Sequence, residues 1–121
     1  MSETSRGAES FVCRWLEGKG WDILARNFRT RRSEIDIIAM KDSVTAVIEV
    51  KYAGDDSGTM ALEKIDTRKQ SRILHAAAAF TSVNPPPGEV RFDVAIVRGS
   101  PDSFRMGSYI PDAFRPDMDW P

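Results

Sequence analysis

The chain has 121 residues, a length that suits one domain, and we expect a single domain over residues 1–121. Its 17 basic and 18 acidic side chains leave a formal net charge of −1, which excludes a global basic field. One cysteine and one histidine exclude an internal disulfide, cysteine-rich zinc sites and sites that need several imidazoles. Because the N-terminus lacks an apolar signal core and no apolar run approaches the roughly 18 residues that span a bilayer, we expect a cytoplasmic protein.

The first predicted element is a helix from Gly7 to Gly20, which follows a loose N-terminus at residues 1–5. Glu9 falls inside the apolar arc of this helix. A carboxylate in that position either belongs to a functional site or bends out to water. The arc itself is formed by residues at three- and four-residue spacing: Ala8, Phe11, Val12, Trp15 and Leu16.

A strand predicted over residues 21–28 leads into a basic cluster without acidic neighbours, which consists of Arg26, Arg29, Arg31 and Arg32. Guanidinium groups bind phosphate oxygens through paired hydrogen bonds, so the cluster predicts contacts with nucleic-acid phosphates. A solvated loop is the alternative interpretation, because charge runs are commonly just exposed.

Two runs rich in Ile and Val, at residues 33–40 and 44–51, predict a β-hairpin at the centre of a sheet. Four charged residues lie within these two runs, namely Glu34, Asp36, Glu49 and Lys51. Because side chains alternate between the two faces of a strand, Glu49 and Lys51 point the same way, and Glu34 shares a face with Asp36. Pairing of the two strands would bring Asp36 close to Glu49.

Two carboxylates and an ammonium group at one point can hold a hard divalent cation and orient a water molecule. Mg²⁺ favours one or two carboxylates, with water and phosphate oxygens as its other ligands, and Mn²⁺ is the alternative cation. We therefore predict a metal site at Asp36 and Glu49, with Lys51 beside it. The alternative is a structural ion cluster in which Lys51 pairs with either acid.

A second helix is predicted from Asp66 or Thr67 to Ser82, after a solvated loop that contains Asp55-Asp56 and an irregular turn at residues 60–64. Its apolar stripe continues one turn back into Lys69 and Gln70. These polar groups are expected to point inward, toward an anion or an active site, and snorkelling of Lys69 to solvent is the alternative.

The C-terminal third is predicted to hold a strand at residues 90–97, a loop at residues 98–105 and a short edge strand at Tyr109-Ile110. The tail at residues 111–121 is rich in Pro and Asp and is expected to be irregular, with Trp120 either packed or exposed. The element order, α-β-β-β-α-β, predicts an α/β protein with one central mixed sheet flanked by helices.

Seven motifs follow one another along nearly the whole chain: Gly7-Ala8-Glu9, Arg26-Asn27-Phe28-Arg29, Glu34-Ile35-Asp36-Ile37-Ile38, Val47-Ile48-Glu49-Val50-Lys51, Lys69-Gln70-Ser71-Arg72-Ile73, Arg91-Phe92-Asp93-Val94 and Ala113-Phe114. In this order they resemble the YraN family of uncharacterised bacterial proteins, which belongs to the PD-(D/E)XK, restriction-endonuclease-like superfamily. The resemblance implies a restriction-endonuclease-like fold, similar in layout to archaeal Holliday junction resolvases.

The resemblance also implies roles for five residues. Asp36 and Glu49 would be the metal-binding carboxylates, and Lys51 would orient or activate the attacking water. Glu9 would complete the site from the first helix, and Gln70 would lie near the metal.

The implied activity is Mg²⁺-dependent phosphodiester hydrolysis on DNA, including structured or branched DNA, by a homodimer. The alternative is a module on the same fold that binds nucleic acid or a protein partner without chemistry. Two positions depart from the family pattern: Ser33 replaces the usual Gly, and Tyr52 stands where a basic residue is common, which removes one phosphate contact.

Overall fold

The computed structural model describes residues 3–54 and 67–115, and within them the chain order matches the predicted α/β class. The elements are α1 (Glu3–Gly18), β1 (Asp22–Arg29), β2 (Glu34–Lys41), β3 (Val44–Gly54), α2 (Thr67–Val83), β4 (Val90–Ser100) and β5 (Ser103–Ile110). The strands form one sheet in the order β1-β2-β3-β4-β5. β3 and β4 pair in parallel and the other neighbours are antiparallel, which makes the sheet mixed as predicted.

The β2–β3 hairpin lies at the centre of the sheet, as predicted. Its connection is Asp42-Ser43, with φ values of 50° and 70°. Left-handed backbone at both central residues is typical of a type I′ turn, whose twist matches that of the flanking strands. The tight turn fixes a register in which Ile37 lies opposite Ile48. Pairing of β2 with β3 goes no further than that point.

The two helices pack on opposite faces of the sheet through separate apolar clusters. The α1 cluster buries Ala8, Val12, Cys13 and Leu16 with Ile37, Ala39, Ala46, Ile48, Ala95 and Val97. The α2 cluster buries Ile73, Leu74, Ala76, Ala77 and Phe80 with Ile35, Ile38, Val47, Phe92, Val94 and Ile96. Burial on both faces accounts for the nearly continuous apolar runs of the central strands.

The ends of α1 differ from the prediction. The helix begins at Glu3, so residues 3–5 are helical instead of loose, and it ends at Gly18. Gly7 lets α1 approach β5 closely, because a Cβ at this position would lie 2.9 Å from the Phe104 ring. The close approach brings the first turns of α1 over the sheet.

The loop predicted at residues 98–105 is wrong, because β4 continues to Ser100 and turns directly into β5. Ser100 pairs with Ser103 across a two-residue connection, Pro101-Asp102. Turn-forming residues indicated a loop, whereas here they form only the tip of a hairpin. β5 extends to Ile110, so the short edge strand predicted at its end belongs to a full strand.

The described part of the tail, residues 111–115, is irregular as predicted, but it is docked on the sheet. The Ala113 N–H donates to the Phe92 carbonyl at 2.7 Å, and the Phe114 ring lies 5.4 Å from the Phe92 ring. The predictions for Asp55-Asp56, residues 60–64, Asp66 and Trp120 fall outside the described residues. No helix in the described ranges combines the length and apolarity needed to cross a membrane.

Candidate functional site

A cleft of about 340 Å³ opens beyond the point where β2 and β3 stop pairing. Past Ile37 and Ile48 the two strands form a fork, and the N-terminal halves of both helices reach its mouth. The cleft brings together predicted residues from four elements: Glu9, Asp36, Glu49, Lys51 and Lys69. Gln70, implied by the family resemblance, does not belong to the lining that the described residues form.

Asp36 lies where the regular alternation of β2 breaks. Ile35 and Ile38 both pack in the α2 cluster, although a regular strand would place them on opposite faces. Asp36 itself lines the cleft, and its Oδ2 accepts a hydrogen bond of 2.7 Å from the Val50 N–H. A side chain of β2 thus continues the connection to β3 after the backbone pairing has ended.

Glu49 is the second acid, and only 5% of it is exposed. The Asp36 backbone N–H opposes the rise in the pKa of Glu49, so the backbone of β2 acts on Glu49 while the backbone of β3 binds Asp36. Its Oε2 is buried and has no hydrogen-bond partner among the described residues. A buried, unsatisfied carboxylate oxygen is unfavourable unless a cation or proton compensates it.

Burial and mutual repulsion disfavour two negative charges in this pair. Burial raises the pKa of Asp36 to about 7. Burial, followed by the charge of Asp36, raises the pKa of Glu49 to about 8. The pair titrates as a unit, so near neutral pH it holds a proton or requires a cation.

Two lysines oppose this accumulation of negative charge. The Lys69 Nζ of α2 lies 3.9 Å from Glu49 Oε1, so the start of α2 does turn this side chain toward the acids. Lys51 follows Glu49 by two residues, lines the same cleft, and weakly opposes the rise in the pKa of Glu49. In the described part of the chain, Lys51 makes no salt bridge with either acid. The structural pairing considered for Lys51 is therefore absent from these residues.

Glu9 enters from α1 and is 4% exposed. Asn27 of β1 donates from Nδ2 to Glu9 Oε1 at 2.7 Å. The Asn27 backbone has a φ of 51°, a left-handed conformation that asparagine adopts more readily than most residues. After burial, the charge of Glu9 is a further cause of the raised pKa of Asp36.

Asn27 is a residue of the candidate site that sequence reasoning missed. It appeared only as part of a motif, and its contact with Glu9 joins positions 18 residues apart. Asn27 also lies between Arg26 and Phe28, whose partners on β2 flank Asp36. An asparagine inside an otherwise strand-like run is the signal that could have indicated a left-handed backbone here.

A divalent cation fits this arrangement, although the cleft is not a complete protein cage. No group of three or more His, Cys, Asp or Glu side chains in residues 3–54 and 67–115 forms a metal-binding cluster. Mg²⁺ does not require one, because it keeps several waters and binds through one or two carboxylates and substrate phosphates. Asp36 and Glu49 supply that number, and the buried Glu49 Oε2 is left for such a ligand.

The predicted arginine cluster divides into two groups. Arg26 donates from Nη2 to the Ser10 hydroxyl of α1 at 3.0 Å. Arg29 Nη2 lies 3.3 Å from Glu34 Oε2. The other two arginines of the cluster line a second cleft beside α2. The cluster is therefore not one continuous surface.

Both departures from the family pattern are accommodated locally. Ser33 accepts a hydrogen bond of 2.9 Å from the Thr30 N–H without a positive φ, so a glycine is not required there. The Tyr52 hydroxyl donates to the Gly99 carbonyl at 2.5 Å, and its ring packs edge-on against Phe104. Tyr52 thus joins β3 to the β4–β5 hairpin.

The fold and the cleft define an α/β protein with a half-buried acid, a buried acid and two lysines at a fork in its central sheet. A family model described as "Uncharacterised protein family UPF0102" matches residues 8–97, and the chain belongs to this family, the YraN family. The match spans every predicted residue of the cleft. The family resemblance found in the sequence is thereby confirmed.

Relatives in the same family come from distant bacteria. A UPF0102 protein of Halorhodospira halophila is 39% identical over 108 residues, covering 89% of this chain and 84% of the relative. One from Rhodopseudomonas palustris is 40% identical over 97 residues, which is 78% of this chain and 72% of that protein. One from Clostridium perfringens is 37% identical over 109 residues, with 88% and 89% covered.

Proposed function

We propose that this protein is a Mg²⁺-dependent nuclease that hydrolyses phosphodiester bonds in DNA, including structured or branched DNA. The observation that carries the proposal is the pair of half-buried Asp36 and buried Glu49, whose Oε2 is unsatisfied, at a cleft that also holds Lys51 and Lys69. A purely structural ion cluster would satisfy that oxygen, whereas a metal-dependent site leaves it for its ligand.

In the proposed reaction, Asp36 and Glu49 hold the cation, and Mn²⁺ can replace Mg²⁺. When bound there, the ion supplies charge stabilisation for the phosphoryl oxygens and acidifies bound water. Lys51 orients the attacking water and offers positive charge to the developing transition state. Lys69, whose side chain is 45% exposed, reaches from solvent to Glu49 and meets the incoming phosphate. Glu9 stays outside the pair as a third acid, fixed by Asn27.

The alternative is a module that binds DNA without cutting it. The observation that favours it is the second, arginine-lined cleft, which offers phosphate contacts away from the acids. Binding without cleavage, in either Mg²⁺ or Mn²⁺, would support this alternative.

The test of the proposed function is a cleavage assay on linear, single-stranded, flapped and four-way DNA with Mg²⁺ or Mn²⁺. We expect at least one structured substrate to be cut, with activity abolished by EDTA and reduced on the order of a hundredfold or more by Asp36→Asn or Lys51→Ala. Asp102→Asn, at an exposed hairpin tip, is the matched control and should cut normally. No cleavage with either metal, together with calorimetry that shows no Asp36-dependent metal binding, would overturn the proposal.

A further inference from the structure

We propose that the second cleft, between the β1–β2 connection and α2, binds the phosphate backbone of the DNA strand that flanks the candidate active site. This inference rests on the proposed function in taking DNA as the substrate. It adds a binding surface on α2, Arg68 and Arg72, to the arginines predicted from the sequence. It also places the bound strand on the α2 side of the sheet.

The cleft has a volume of about 560 Å³ and basic residues on both walls. Arg31 and Arg32 come from the connection between β1 and β2. Arg68, Arg72 and His75 come from α2. Residues three and four positions apart in a helix lie on one face, so the α2 residues form a row that faces the two arginines of the connection.

The four guanidinium groups of this cleft lack acidic partners in the described part of the chain. Elsewhere the protein does pair its arginines: Arg91 with Asp93, and Arg115 with Asp112. Yet the chain has 18 acidic residues for 17 basic ones, so charge balance alone would permit pairing here too. Four like charges around one cleft repel one another unless an anion joins them. A phosphate backbone is the anion with repeated charges that suits several guanidinium forks.

Neighbouring residues of α2 and of the start of β2 line the second cleft and the candidate active site. Lys69 follows Arg68 in sequence, and its Nζ lies 3.9 Å from Glu49 Oε1. The first turn of α2 therefore presents Lys69 to the acids and Arg68 to the second cleft. Glu34, at the start of β2, lines the first cleft, while Ser33 lines the second. A strand whose reacting phosphate lies at the acids can thus continue across α2 into the row of arginines.

The other two arginines of the predicted cluster, Arg26 and Arg29, already have partners within the protein. Arg26 is hydrogen-bonded to α1, and Arg29 is paired with Glu34. Loss of these two side chains should therefore affect DNA binding much less. Comparison of the two pairs of arginines therefore distinguishes specific phosphate contacts on the α2 side from a general effect of positive charge.

The test is DNA binding by fluorescence anisotropy at several salt concentrations, with Asp36→Asn protein and EDTA so that no cleavage occurs. Each phosphate contact on duplex DNA contributes about 0.9 to the slope of log affinity against log salt. We expect Arg68→Ala/Arg72→Ala to weaken binding and to lower the slope by about 2. Arg26→Ala/Arg29→Ala, which removes the same charge, should leave the slope nearly unchanged.

A lysine variant shows whether weaker DNA binding comes from the lost positive charge or from a defect in folding. Arg68→Lys/Arg72→Lys keeps the positive charge and should retain most of the slope. An equal loss in the two alanine pairs, or an unchanged slope in Arg68→Ala/Arg72→Ala, would overturn the inference. The cleavage assay gives an independent result. Cleavage together with an unchanged slope would refute only the proposed phosphate binding by α2. Arginine-dependent binding without any cleavage refutes only the nuclease. Absence of DNA binding refutes both.

Discussion

At the scale of single residues, the arrangement of the cleft depends on a side chain that does not line it. Asn27 holds Glu9 through one hydrogen bond, and its backbone is left-handed. Outer residues that orient a metal site commonly affect metal affinity or activity by about 10- to 100-fold. Asn27 is therefore a positioning residue for the third acid.

Asn27→Gly tests this role, because glycine accepts a φ of 51° without strain but has no amide. We expect cleavage to fall by roughly tenfold and metal affinity to fall with it. The melting temperature should fall moderately, because the buried Glu9 Oε1 loses its hydrogen-bond donor. Asn27→Ala loses the same amide and adds backbone strain, so it should show the same activity and a lower melting temperature. Normal activity in both variants would show that Glu9 needs no such support.

At the scale of elements, one buried carboxylate ties the C-terminal strands together. Asp93 is fully buried on β4 and accepts two hydrogen bonds from Arg91, at 2.9 Å and 3.0 Å. It also accepts one from the Tyr109 hydroxyl of β5 at 2.6 Å and one from the Asp112 N–H at 2.8 Å. All of these donors lose their acceptor if the carboxylate is removed.

Asp93→Ala should therefore destabilise the protein by about 3–5 kcal/mol, because it leaves a partly buried Arg91 and the Tyr109 hydroxyl without an acceptor. Chemical denaturation gives the free energy of unfolding. Asp112→Asn is the matched control, since asparagine tolerates the left-handed φ of 52° at this position, and the variant keeps its backbone N–H to Asp93 and loses only an exposed ion pair. A small effect of Asp93→Ala, no larger than that of the control, would contradict the role of Asp93 as the central acceptor.

The sequence predicts the elements that rest on local periodicity, and it locates the acids whose charge conflicts with their apolar neighbours. Asp36 and Glu49 were found in this way, because strand alternation and a two-residue turn determine most of their geometry. The full length of β5 was not found, since the turn at Pro101-Asp102 is chemically indistinguishable from a loop. The division of the arginines was not found either, because it depends on which face of the sheet α2 covers.

At the scale of the whole molecule, the acid pair couples stability to pH. The pKa of Asp36 rises from 3.8 to about 7 and that of Glu49 from 4.5 to about 8, so the folded protein binds more protons than the unfolded chain between these values. Stability must then fall as pH rises through that interval, the opposite of the behaviour of a carboxylate in a favourable salt bridge. A metal ion competes with the same protons, so its stabilising effect should grow with pH.

Thermal melts with EDTA, from about pH 5 to about pH 9, test this coupling. We expect the melting temperature of the wild type to fall relative to that of Asp36→Asn as pH rises. At alkaline pH the variant should be as stable as the wild type or more so, and Mg²⁺ should stabilise the wild type alone. If Asp36 were instead one partner of a buried salt bridge, the variant would lose about 3–5 kcal/mol without metal.

The hydrogen bond from the Val50 N–H to Asp36 also makes one backbone amide a reporter of the cleft. Exchange of a backbone proton with deuterated solvent requires its hydrogen bond to open. At Val50 the acceptor is a carboxylate with a raised pKa that titrates together with its neighbour, whereas along the β2–β3 pairing the acceptors are peptide carbonyls, which do not titrate. The exchange rate of this single amide should therefore report whether a cation is bound by the acid pair. Exchange should slow when a cation immobilises Asp36. The cleft carries its own spectroscopic probe, with no label added.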